Sequence, residues 1–145
     1  MNGAPQSGTT GRNHVYRLRV FYEDTDVGGV VYYANYLKFA ERARTEWLRA
    51  CGISQRALAA ESGNVFAVRR VEADFIAPAH LDDELEIRTT VLDHGGARFA
   101  MGQIIGRGAE DLVRLKVWIA CVNAKGRATR IPEPVAGLLA SEPGG

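Results

Sequence analysis

The side chains best suited to chemistry fall in one run, Y-E-D-T-D-V-G-G-V-V-Y-Y-A-N, residues 22–35. Asp24 and Asp26 offer carboxylates, and a carboxylate can act as general base for water or as a nucleophile. Gly28 and Gly29 follow at once and allow backbone to come close to a ligand. Just beyond them a helix begins, and its first turn, near Tyr33 to Asn35, presents unpaired N–H groups and a partial positive charge. Such donors stabilise the oxyanion that forms when an acyl carbonyl is attacked. The same aspartates also suit a plain turn, because Asp bonds nearby backbone N–H groups. Composition and spacing leave both readings open.

Other chemistries find less footing. Of the three histidines, His14 borders the N-terminal tail, His80 follows a strand-ending proline and His94 sits in a hairpin; all three are expected at the surface. None lies on the helix or in the loop leading to it. No Ser or Cys stands in a G-x-S-x-G elbow, and no Walker or G-x-G-x-x-G loop is present. Cys51 and Cys121 match no metal or disulfide spacing and read as buried free thiols. Glu41 and Glu46 have Lys38 and Arg42 at helical spacing, so both are expected in ion pairs.

The elements that must hold Asp26 can be read from period. Val15 to Tyr22 alternates, with Tyr16, Leu18, Val20 and Tyr22 on one face and Arg17 and Arg19 on the other, which predicts a half-buried strand. The helix that follows runs about four turns, with Tyr36, Ala40, Ala43, Trp47 and Ala50 on one stripe. Leu37, Phe39, Leu48 and Cys51 widen that stripe, so the helix is expected to be gripped around much of its circumference. Gly52 suits the position after the helix end. Ser54 suits the N-cap of a short second helix, residues 55–61, closed by Ser62-Gly63.

From Asn64 the period becomes two. Val65, Ala67, Val71, Ala73 and Phe75 share one expected face, and Arg70, Glu72 and Asp74 the other, until Ala77-Pro78-Ala79 stops the strand. Three more strands follow. One carries Leu85, Ile87, Thr89 and Val91 and ends at the hairpin signal His94-Gly95-Gly96. The next carries Phe99, Met101 and Ile105, and the last Val113, Leu115, Val117, Ile119 and Cys121. Pro132-Glu133-Pro134 opens a short final helix through Leu139. A sheet with one apolar face must bury it, and the long helix is the only large partner. The expected fold class is α+β, a curved antiparallel sheet of about five strands around one central helix. Its long edge strands favour pairing with a second copy.

The 145 residues suit a single domain at 14–140, between a disordered tail at 1–13 and a frayed end at 141–145. A formal net charge of +1 gives no pull toward nucleic acid. No apolar run reaches the ~20 residues of a membrane span, and no signal-peptide core precedes the domain. A cytoplasmic protein is expected.

The stretch R-V-F-Y-E-D-T-D-V-G-G-V-V-Y-Y-A-N-Y-L-K-F-A-E-R-A-R-T-E-W-L resembles the signature of the hotdog-fold acyl-CoA thioesterases of the 4-hydroxybenzoyl-CoA thioesterase type, closest to the Tol-Pal-associated branch. E-A-D-F-I-A-P-A-H-L-D-D-E-L-E-I resembles that family's second strand, Pro-Ala turn and third strand. The resemblance implies a hotdog fold and hydrolysis of an acyl-CoA to a free acid and coenzyme A, with no metal or redox cofactor. It puts the catalytic carboxylate on Asp26 and leaves Asp24 as a loop-shaping residue. The thioester carbonyl is polarised by the backbone N–H of Tyr33, and Tyr22, Gly29, Val30, Tyr32 and Asn35 lie against the substrate. One departure stands out: the branch usually reads V-V-Y-H-A-N-Y, with His where this chain has Tyr33. A backbone role survives that change, whereas an imidazole role does not. Arg69, Arg70 and Arg130 are candidates for the coenzyme A phosphates. The family's cleft lies between subunits, so a homodimer or homotetramer is implied. Two rivals remain: a hotdog hydratase or dehydratase, which needs a histidine in the site, and a non-catalytic acyl-thioester binder or scaffold.

Overall fold

A computed structural model describes residues 13–140; the expected tail and frayed end lie outside them, apart from Asn13. The order is β1 (Asn13–Arg19), a 3-10 turn (Tyr22–Asp24), α1 (Asn35–Ala50), α2 (Gln55–Ser62), β2 (Val65–Phe75), β3 (Glu84–His94), β4 (Arg98–Arg107), β5 (Glu110–Val122) and α3 (Glu133–Ala140). The five strands form one antiparallel sheet in the order β1-β3-β4-β5-β2. One face carries Leu85, Ile87, Met101, Ile105, Val117 and Ile119 onto α1, as the alternation predicts.

α1 buries Tyr36, Phe39, Ala40, Ala43, Trp47 and Leu48 against the sheet. Phe39 and Trp47 have almost no exposed surface, and truncating either to Ala costs about 3–5 kcal/mol. The grip is one-sided, contrary to expectation: Leu37 is 43% exposed and Ala50 is exposed too. The end of α1 is fixed by a Schellman motif. Gly52, at φ +81°, donates to the Arg49 carbonyl and Ile53 donates to that of Leu48. Ser54 caps α2 by accepting from the Ala57 N–H at 3.1 Å, and Gly63 closes it.

Two readings of strand faces need correction. Tyr22 is not on β1: the chain leaves the strand at Arg19 and turns, leaving Tyr22 81% exposed. In β2 the pairing with β5 skips Arg69, a β-bulge. An extra residue reverses the alternation, so Phe66 and Val68 join Val71, Ala73 and Phe75 on the helix side, opposite Cys121, Ile119, Val117, Leu115 and Val113. Val65 and Ala67 therefore face the other way. Further irregularities at Leu92 and Leu112 add to the bending that wraps the sheet around α1.

His14 is also corrected. It sits on β1 opposite Thr89, which in turn lies opposite Gln103, and all three are buried. The row is polar, beneath α1. Burial pulls the His14 imidazole below its ordinary pKa, against a smaller upward pull from Glu46.

Candidate active site

Asp26 stands on a tight hairpin between β1 and α1. Thr25 and Val31 form one antiparallel pair, with the Asp26 N–H donating to the Val30 carbonyl (2.9 Å) and the Tyr32 N–H to the Asp24 carbonyl (3.2 Å). Gly29 closes the tip at φ +76°, a left-handed conformation that a side chain would strain. Val31 is buried, so the alternation turns Asp26 and Val30 outward. Asp26 is exposed, and its Oδ1 accepts from the Gly28 N–H at 2.9 Å. A Cβ on Gly28 would meet that oxygen in ordinary contact, at 3.4 Å. Among the described residues nothing donates to Oδ2.

Asp24 shapes the loop, as expected. Its Oδ2 accepts from the Phe21 N–H (2.9 Å), and its carbonyl takes Asn35 Nδ2 (2.9 Å) as well as the Tyr32 N–H. Asn35 thus braces the hairpin against the helix. No side chain caps α1; Ala34 holds the N-cap position in helical conformation. The lead-in turns use the Asn35, Tyr36 and Leu37 N–H groups, bonded back to Tyr32, Tyr33 and Ala34. The N–H of Tyr33 meets no acceptor among the described residues. An open helix start therefore lies one step from the hairpin that carries Asp26.

Aromatic rings surround it. Tyr32 and Tyr33 are tilted at 4.9 Å, Tyr33 meets Phe75 edge-on at 6.0 Å, and all three are at least half exposed. The neighbouring Tyr33 phenol, by hydrogen bond and charge, raises the Tyr32 pKa above its ordinary value. Tyr36, buried behind them with its pKa raised by that burial, accepts the Ala79 N–H at 2.9 Å. Tyr22 stands exposed on the 3-10 turn, while Gly29, Val30, Tyr32 and Asn35 belong to the hairpin or helix start.

The hairpin has a third strand that the sequence did not reveal. Val30 pairs with His80, with Val31 donating to Ala79 (2.9 Å) and Leu81 to Gly29 (3.1 Å). The turn 80–83 that follows holds Asp82 at φ +71° and ties back to Val20 of the β1 end. Asp83 anchors it: Oδ2 accepts the His80 N–H (2.8 Å) and Arg107 Nη1 (2.6 Å). Burial pushes the Asp83 pKa up, but those two donors outweigh it and hold the carboxyl below its ordinary value. The P-A-H-L-D-D motif was visible in the sequence; its place beside Val30 was not.

The remaining candidates separate. Arg69 and Arg70 line a cleft of about 440 Å³ on the outer face of the sheet with His94, Arg98 and Trp118. Arg70 lies over Trp118 at 4.8 Å and is paired with Glu72, while no ion pair engages Arg69 or Arg98 among the described residues. Arg130 is outside the cleft, next to Ile131, whose N–H binds the Gly96 carbonyl of the β3–β4 hairpin. The cleft and Asp26 lie at opposite ends of the sheet. On α1, Glu46 pairs with Arg49 (2.8 Å) rather than Arg42, which rests near the Phe39 ring. Glu41 makes no salt bridge among the described residues. It lies instead, with Arg44, on a mainly apolar cavity of about 130 Å³ between α1 and Phe66, Phe99 and Met101.

A helix wrapped by a five-stranded antiparallel sheet, with a carboxylate hairpin at the helix start, defines a hotdog protein. The chain belongs to the thioesterase-like superfamily, whose pattern matches residues 20–139. It is 46% identical over 107 residues to the acyl-CoA thioester hydrolase YbgC of Escherichia coli O6:H1, covering 73% of this chain and 79% of that protein. A probable thioesterase from Bartonella henselae superposes with a TM-score of 0.80 at 42% identity, over 83% of this chain and 99% of that one. A 4-hydroxybenzoyl CoA thioesterase mutant complexed with 4-hydroxybenzoyl CoA shares the fold at a TM-score of 0.82 and 23% identity, over 89% and 99%.

Proposed function

We propose that this chain hydrolyses acyl-CoA thioesters to a free acid and coenzyme A. One observation carries the reading: the exposed Asp26 carboxylate sits on a hairpin that runs into an uncapped helix start, where the Tyr33 N–H is unengaged. Asp26 takes a proton from water as the water oxygen attacks the thioester carbon, or attacks directly to give a mixed anhydride that water then opens. The carbonyl oxygen, gaining charge, settles on the Tyr33 N–H at the positive end of α1. The carbon–sulfur bond then breaks and the electron pair leaves with the thiolate. This chemistry asks for no metal or redox cofactor. The naming of the YbgC relatives as acyl-CoA thioester hydrolases supports the same reaction.

The assembly in this reading is a homodimer paired through β2, or a homotetramer of two such dimers. β2 is an edge strand whose Val65, Val68, Val71 and Phe75 are 37–51% exposed, a poor edge to leave in water. Antiparallel pairing of two β2 strands sets the Val65 end of one copy beside the Phe75 end of the other, with Arg69 near the middle of the strand. Arg69 is six residue steps, about 20 Å, from Phe75, so in this reading the arginine cleft and the apolar cavity of one copy come toward the Asp26 of its partner. That arrangement supports phosphates at Arg69 and Arg70 and an acyl group in the cavity. Two free thiols, Cys51 and Cys121, fit a reducing, cytoplasmic setting.

Thiol release from short, long and aromatic acyl-CoAs tests the reading, with Asp26→Asn alongside. The variant should stay folded and lose about 10²–10⁴-fold in kcat. Near-wild-type turnover by the variant refutes the assignment. Coenzyme A binding without turnover by the wild type would favour a scaffold.

A further inference from the structure

His80 lies far from Asp26 in sequence but not in space. Asp26 stands opposite Val30 across the hairpin, and Val30 stands opposite His80 across the next rung. Directly opposed residues in antiparallel strands point to the same side. Their flanking neighbours Val31 and Ala79 are buried, so Asp26, Val30 and His80 share the outward face. Two strand spacings separate the aspartate and histidine backbones, roughly 10 Å. The carboxylate and the imidazole thus flank Val30 on one solvent-facing surface.

The imidazole is also oriented. Arg107 Nη1 lies 3.5 Å from Nδ1, and a guanidinium can only donate. Asp83 Oδ2, at 3.8 Å from Nδ1, is already taken by Arg107 and by the His80 N–H. A guanidinium facing Nδ1 favours the tautomer that carries its proton on Nε2, the nitrogen away from the cluster. Tyr36 holds the adjacent Ala79 N–H and keeps this strand in place.

We propose that His80 is the proton donor to the departing thiolate, standing across Val30 from the Asp26 carboxylate. This rests on the acyl-CoA reading above. As the tetrahedral intermediate collapses, the carbon–sulfur bond breaks and its electron pair goes to sulfur. The Nε2 proton passes to that sulfur, giving the thiol, and the ring recovers a proton from solvent or from the proton that Asp26 took from water. Arg107 and Asp83 act as positioning residues, fixing the ring's tautomer.

The test compares two leaving groups. One acyl group that the wild type accepts is presented as its coenzyme A thioester and as its S-4-nitrophenyl thioester, whose far more acidic thiol leaves without a proton. His80→Gln, which keeps a polar side chain of similar reach, should cut kcat on the coenzyme A thioester by about 10²-fold. On the aryl thioester its rate should stay within about threefold of wild type, less than 1 kcal/mol of barrier. Equal loss on both substrates would mean a structural role, and no loss on the first would mean none; either overturns the proposal. Asp26→Asn separates this from the parent reading, because it should slow both substrates. If Asp26→Asn slows neither, the role assigned to Asp26 has failed, and the parent mechanism with it.

Discussion

Gln103→Leu puts the polar row beneath α1 to a quantitative test. Gln103 has no exposed surface. Its Nε2 donates to the Ala40 carbonyl of α1 (2.9 Å) and to Thr89 Oγ1 (3.0 Å), while Oε1 accepts from Arg44 Nη1 (3.0 Å). Burial already pulls the Arg44 guanidinium below its ordinary pKa, so a charge held largely off water uses this amide as acceptor. Removing an acceptor from a charged donor costs about 1.5–3 kcal/mol, and losing the neutral bond to Thr89 costs about 0.5–1.5 kcal/mol. Ala40 keeps a helical donor, and leucine fills much of the space with apolar contact, so the net loss is about 2–3 kcal/mol. For a chain of this length that lowers Tm by roughly 4–12 °C. Urea and thermal unfolding at fixed protein concentration measure it, with m compared to confirm an unchanged unfolded state. A double-mutant cycle adds the sharper demand: Arg44→Met on the leucine background should return about 1.5 kcal/mol, because removing both partners leaves no charged donor unpaired. A Gln103→Leu protein within about 0.5 kcal/mol of wild type, or a cycle with no coupling, refutes the reasoning.

Other expectations follow from the same geometry. His14 has a lowered pKa in the fold, so the unfolded chain binds more protons below the imidazole's ordinary 6.5 and stability falls as pH drops through that window; His14→Phe should flatten the slope of Tm against pH there. Asp83 also has a lowered pKa, and its contribution is present above the ordinary carboxylate value and lost as pH falls through the folded one; Asp83→Asn should remove that later loss and cost about 1–2 kcal/mol at neutral pH. Arg69→Ala combined with Arg70→Ala should raise KM for an acyl-CoA by about 10–100-fold, at roughly 1.4 kcal/mol per lost charge-assisted contact. The matching acyl-pantetheine, lacking the nucleotide phosphates, should be unaffected. On the proposed β2 pairing, Val68→Lys puts a charge on the apolar edge and should give a monomer in sedimentation with a lowered kcat/KM; an unchanged sedimentation coefficient would refute pairing through β2.

The sequence by itself determined the elements and the main candidate for chemistry. Helical spacing from Tyr36 to Trp47, the Ser54 cap, the Gly52 stop and the alternation of β3 to β5 are local rules, enforced by backbone geometry within a few residues. The D-T-D-V-G-G run showed a carboxylate beside a helix start for the same reason. Tertiary structure decided what depends on which strands become neighbours. The Arg69 bulge reversed the faces at the start of β2 because a single unpaired residue changes parity, and parity has no signature in residue types. His14, at the border of the tail, read as a surface residue, yet pairing with Thr89 drew it under α1. His80 read as a surface histidine after a proline; a rung to Val30 set it beside the aspartate hairpin. Distance along the chain hid that pairing, because antiparallel contacts between remote segments are fixed by the packing of the whole sheet.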